Sequence, residues 1–204
     1  MIRTTLAVMG ASACALLFAT AFAAAQAPES VRVRGTIDSV DGSIMNVKQR
    51  DGTMVKVKLA DNGPVRMAVK KSLSDIKPND FIAITAMPQP DGSQKAVAIA
   101  IFPEALRGVG EGHRPWDLSP NSTMTNATVA DEVKSVDGAT LQVKYKDGEL
   151  KIIVPTDAEI TTFVPATMAD VKSGEKIFIA GTKKLPDGTL EAPNITVGDY
   201  GVWR

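Results

Sequence analysis

VRVRGTIDSVDGSIMNVKQRDGTMVKVKL, residues 31–59, alternates apolar and polar side chains and is interrupted twice by Asp-Gly. Val31 and Val33 alternate with Arg32 and Arg34, Met45 and Val47 with Asn46 and Lys48, and Val55, Val57 and Leu59 with Lys56 and Lys58. A period of two places one face of a strand inward, and valine-rich runs favour strand over helix. Asp-Gly tolerates the positive φ of a tight hairpin turn. The stretch therefore predicts three short strands joined by hairpins, with Met45 on an inward position.

The same grammar returns further along the chain. Val40-Asp41-Gly42 recurs as Val136-Asp137-Gly138, Asp51-Gly52 as Asp147-Gly148, and Pro90-Asp91-Gly92 as Pro186-Asp187-Gly188, all at an offset of 96. Asp75 to Asp80 resembles Asp170 to Glu175 at an offset of 95. Landmarks in one order at one offset imply a tandem duplication, with units at 30–103 and 127–199. After the first three runs of unit one comes Val65 to Asp80, in which Leu73 and Ile76 suit a short helical turn over Ser72 to Ile76, stopped by Pro78. Two more strands are expected at Phe81–Ala86 and Ala96–Phe102. The predicted class is all-β: two tandem five-stranded OB-like barrels, each with a short helix or turn between strands 3 and 4. A barrel of ~70 residues has a marginal core, so the two units are expected to pack on each other.

Outside the units lie three further segments: 1–25, a connector at 104–126, and a tail at 200–204. Arg3 precedes an uncharged run from Leu6 to Ala25 that ends in Ala-x-Ala spacing, at Ala21-Phe22-Ala23 or Ala23-Ala24-Ala25. This is the pattern of a cleaved signal peptide, which implies a periplasmic or secreted protein with no membrane span in its mature part. Cys14, the only cysteine, falls inside that run and lacks the Leu-like residue of a lipoprotein site three positions before it. The mature chain then has no thiol and no disulfide. Its 22 basic residues face 23 acidic ones, since Arg3 is the only charge in 1–25. That balance argues against a nucleic-acid binder.

The Val-Asp-Gly, Asp-Gly and Lys77-Pro78-Asn79-Asp80 landmarks behind a signal peptide resemble a family of exported bacterial OB-like domains of unknown function. The run Phe102 to Thr128, FPEALRGVGEGHRPWDLSPNSTMTNAT, is similar to a segment of its two-repeat members. The resemblance covers essentially the whole mature chain and implies a fold and a compartment, with no catalytic residue. Some look-alikes are labelled metal-transport permeases, a label at odds with a chain that has no bundle of spanning helices.

The connector is the most unusual segment. It holds Gly108, Gly110 and Gly112, then His113, the single histidine, and Trp116. Long loops without secondary structure are uncommon in compact domains, and a disordered linker would avoid tryptophan. One reading is a structured tether with Trp116 as a hydrophobic pin between barrels. The sharper reading is a ligand loop on which Arg107, Glu111, His113, Arg114, Trp116 and Asp117 converge. A Cu(I) site could use His113, shielded by Trp116, with thioether ligands from Met45, Met54, Met67, Met87, Met124 or Met168. No His-x-x-x-His or Met-x-Met spacing supports it, scattered methionines suit a core, and no resident cofactor is expected. A second surface is the outer face of the first strands, where Arg32, Arg34, Lys48, Arg50, Lys56 and Lys58 should lie together. Such a face could hold an anionic envelope polymer or a partner protein, or its lysines could simply guard a strand edge. No Gly-x-Ser-x-Gly elbow or Asp-x-Asp-x-Asp calcium loop appears, so catalysis is not expected. The expected function is a non-catalytic exported binding or interaction module.

Overall fold

Asp51, Asp91 and Asp187 each accept a hydrogen bond from the backbone N–H two residues on, at Thr53, Ser93 and Thr189, over 2.9, 3.0 and 3.0 Å. These Asx turns reverse the chain where the Asp-Gly pairs stand, and Gly52, Gly92 and Gly188 follow with φ near 85°. The computed structural model describes residues 30–135 and 138–199. The expected signal peptide and tail lie outside the described residues, as do Val136 and Asp137.

Fourteen strands form among the described residues, and no α-helix. In the first half they are β1 (Val31–Asp41), β2 (Ile44–Gln49), β3 (Met54–Leu59), β4 (Val65–Lys71), β5 (Phe81–Pro88) and β6 (Gln94–Ile101). The connector contributes β7 (Gly112–Pro115). The second half contains β8 (Thr123–Ser135), β9 (Gly138–Tyr145), β10 (Gly148–Pro155), β11 (Glu159–Ala166), β12 (Lys176–Lys184), β13 (Leu190–Ala192) and β14 (Ile195–Val197).

Two expectations change. Val65–Lys71 is a strand, because Val65, Met67 and Val69 alternate with Arg66, Ala68 and Lys70; the expected short helix shrinks to a 3-10 turn at Leu73–Asp75. Its counterpart is Met168–Asp170, and each turn is closed by a capping box, Ser72 with Asp75 and Thr167 with Asp170. The connector at 104–126 is not irregular throughout either. β7 pairs with β8, placing His113 opposite Thr125 and Arg114 opposite Met124, and β8 itself begins at Thr123.

The larger correction concerns which strands pair. Units 30–103 and 127–199 do not each close a barrel. β1 pairs with β2, β2 with β3, β3 in parallel with β13, β13 with β12, and β12 with β1. That ring takes three strands from the first half and two from the second. The reciprocal ring runs β8, β9, β10, β6, β5 and back to β8, with β10 and β6 parallel. The physical reason lies in β4 and β11. They pair antiparallel over seven positions, Val65–Lys71 against Ile160–Ala166, so each half is carried across to the other ring before its last strands form. β14 and β6 flank this saddle in parallel pairs with β4 and β11.

Each ring encloses its own core, and both halves fill it. The first core holds Val33, Ile37, Met45, Val47 and Val57 from one half against Ile177, Ile179, Leu190 and Ile195 from the other. The second sets Ile82, Ile84 and Ile99 against Val129, Leu141, Val143 and Ile152. Met45 is fully buried, as its alternation predicts.

Gly35 sits where β1 is paired with both β2 and β12, opposite Gln49 and Ile177. A Cβ there would run into the Lys48 carbonyl oxygen and Val47 Cγ1. Because the obstacle includes backbone, Gly35→Val should cost on the order of 3 kcal/mol, read as a lowered urea midpoint with an unchanged slope.

Candidate functional site

Outward positions on β1 and the connector meet at one point. Trp116 and Asp117 follow β7 directly, and a turn closed by Ser122 holds them there. Ser122 N–H donates to Ser119 O at 3.1 Å, its hydroxyl to Trp116 O at 3.0 Å, and Trp116 N–H to Ser122 O at 2.7 Å. Asn121 takes φ 63° inside that turn. Arg32 Nη1 and Arg34 Nη2 each donate to a different oxygen of Asp117 at 2.6 Å. The Arg32 guanidinium lies 4.0 Å from the Trp116 ring centre, Arg34 at 5.3 Å and Arg114 at 5.7 Å. Such stacks are favourable, more so when partly desolvated.

The Asp117 carboxyl responds to two opposed influences. Burial alone would raise its pKa; the hydrogen bonds from Arg34 and Arg32, and then their charges, outweigh it and hold the group well below the usual carboxylate range. A carboxyl whose folded-state pKa is depressed contributes stability that is whole above its unfolded value, here 3.8, and is lost as the pH falls toward its folded value. Asp117→Asn should therefore destabilise the chain at neutral pH. The gap from wild type should close as the pH drops below about 3.8, in denaturant melts run from pH 7 to pH 2.

Behind this cluster lies a cavity of about 470 Å³ between the two rings. Phe178 and Ala180 of β12 come from the first ring; Ala83 of β5, Ala100 of β6, and Met124 and Asn126 of β8 come from the second. The saddle supplies Arg66 on β4 and Phe163 on β11. The connector closes it with Leu106, Val109, Arg114 and Trp116. Phe102 belongs to the wall and to an aromatic row, 5.6 Å from Phe81 and 5.7 Å from Phe163 between ring centres. The lining is mostly apolar, with a few polar groups, as small-molecule sites usually are. Trp116 Nε1 and Asn126 Oδ1 are buried with no hydrogen-bond partner among the described residues. Buried polar atoms are seldom left unpaired.

No family model, curated protein or solved structure matches this chain. The residues alone therefore carry the functional reading. Among the described residues no helix is long and apolar enough to cross a membrane, and no three of His, Cys, Asp and Glu gather into a metal-binding group.

The six connector residues singled out from the sequence divide. Arg114, Trp116 and Asp117 come together with Arg32 and Arg34. Arg107 turns away, paired with Glu104 at 2.7 Å and donating to Asn79 O at 3.0 Å. Glu111 is exposed. His113 stands beside Arg114 on a strand, so their side chains leave on opposite faces. Its Nδ1 is 2.8 Å from Thr125 Oγ1, and its ring centre is 6.4 Å from that of Tyr145. Burial and the Arg114 charge lower its pKa. Thr125 is fully buried, so this pair positions β7 and offers no reachable hydroxyl. The expected basic face divides as well. Arg34 is buried under the connector and Arg32 is half-covered, while Lys48, Arg50 and Lys56 remain exposed and Lys58 is partly so.

Arg66, Phe102, Phe163 and Phe178 were not anticipated. A signal for Phe178 was present: it stands between Ile177 and Ile179, both core residues, and so had to face out. A large aromatic on the outer face of a strand needs a second cover.

Proposed function

We propose that this chain is an exported, non-catalytic binding module of the bacterial envelope that seats a small, largely apolar ligand in the cavity between its rings. The observation that carries the reading is that cavity, walled by Phe102, Phe163, Phe178 and Trp116 and closed by the connector. Few aromatic residues are available in this chain, and their gathering around open space distinguishes a ligand seat from a filled core. Export is supported by the uncharged run Leu6 to Ala25 and its Ala-x-Ala ending. The OB-like reading, and with it the likeness to exported OB-like domains, is supported by strand order. Each ring follows first, second, third, fifth and fourth strand, with third and fifth parallel, but the last two strands are exchanged between halves.

The test is titration with the neutral dye N-phenyl-naphthylamine, whose fluorescence rises in apolar surroundings. One saturable site per folded chain is expected. A purely linear rise, without saturation, would sink the proposal.

A further inference from the structure

The cavity wall carries two guanidiniums, Arg66 and Arg114, that meet no carboxylate among the described residues. Arg66 donates from Nη1 to Asn194 Oδ1 at 3.2 Å, and Arg114 from Nη1 to Gly110 O at 2.8 Å. Among the described residues neither forms an ion pair, in contrast to Arg32 and Arg34, which share Asp117. Arginine stays charged in any protein setting. Both side chains are partly buried beside phenylalanines and alanines, where a charge without a counter-ion is costly. A neighbouring charge acts the wrong way: Arg32 repels Arg114, whose pKa is lowered by burial first and by that cation second.

We infer that the ligand is an anionic amphiphile, its apolar body against Phe102, Phe163 and Phe178 and its acidic group between Arg66 and Arg114. The inference rests on the proposed function and deepens it. Two arginines entering one apolar space from different elements, β4 and β7, suit a carboxylate, sulfonate or phosphate, each able to take paired N–H donors. A neutral apolar ligand would leave both partly buried cations without a counter-ion. An anionic polymer running over the surface would use the exposed Lys48, Arg50 and Lys56 instead.

The experiment compares two dyes with one aromatic body, neutral N-phenyl-naphthylamine and anionic anilinonaphthalene sulfonate, on the full folded chain. The sulfonate should bind about tenfold more tightly, and its advantage should shrink as salt is raised. Arg66→Gln and Arg114→Gln should each remove most of that advantage while leaving the neutral dye's affinity in place. Arg66→Lys and Arg114→Lys, which keep the charge, should retain part of it. Arg50→Gln on the exposed face should change nothing. Equal affinities for the two dyes, or an equal loss in Arg50→Gln, would overturn the anionic assignment and leave the cavity reading standing. A neutral dye that shows no saturable binding, with the far-ultraviolet circular dichroism and melt of a folded chain, would overturn the cavity reading itself.

Discussion

Divided after Gly108, the chain should yield two fragments that fail to fold as monomers and that assemble into a stable one-to-one complex when mixed. Of the fourteen residues of the first core, seven come from each half: Val33, Ile37, Met45, Val47, Val57, Leu59 and Val65 against Val171, Ile177, Ile179, Leu190, Ala192, Ile195 and Val197. The second core divides six to seven. A lone first half would expose the inner face of β1–β3 and one face of the β5–β6 hairpin at once. Full burial of one Val, Leu or Ile is worth roughly 1.5–3 kcal/mol, while a whole domain is stable by only about 5–15 kcal/mol. Losing partners for half of each core exceeds that margin. The cut falls in a glycine-rich stretch beside exposed Val109, so it breaks no strand pairing. Each fragment alone should show no cooperative melt. The mixture should recover the melt and the gel-filtration volume of the intact chain. A first half that melts cooperatively as a monomer would mean that β5 and β6 can close onto their own β1–β3, and the exchange would lose its energetic meaning.

That contest between closing at home and crossing over explains what the sequence could and could not disclose. Alternation in Val31–Leu59 was legible, because period two depends only on which side chains face water. The turns were legible because Asp51, Asp91 and Asp187 each bond their own backbone locally. Partner choice was not. The two halves run through the same element order, so β5 and β6 fit either ring by pattern, and alternation fixes a face without naming a neighbour. The deciding element, β4, was hidden because Arg66, Lys70 and Lys71 dilute its apolar positions and the Leu73 to Ile76 spacing drew the reading toward a helix. The same limit applies to the site. Trp116 and Asp117 stood out by type, and their partners Arg32 and Arg34 stood out by alternation, but only the fold joins them, Asp117 across 85 and 83 residues. Arg66 and Phe163 reach the cavity through the β4–β11 pairing, which no local pattern specifies.

Ala180→Trp should sharply weaken binding of both dyes while leaving the fold in place. Ala180 follows the core residue Ile179 on β12, yet it is exposed and lines the cavity. An indole there would extend into open space, so the overpacking cost that follows enlargement inside a filled core does not apply. It would occupy much of the volume that a ligand body needs and would stand among Phe163, Phe178 and Trp116, where aromatic contacts are favourable. Stability should hold or rise slightly, and affinity for both dyes should fall by more than tenfold. That combination separates occupancy from unfolding, which truncating Trp116 could not do, because Trp116 also stacks on Arg32 and closes the connector. Undiminished binding in Ala180→Trp, with an intact melt, would place the ligand elsewhere. The carboxylate-free Arg66 and Arg114 would then need a different anion to account for their burial.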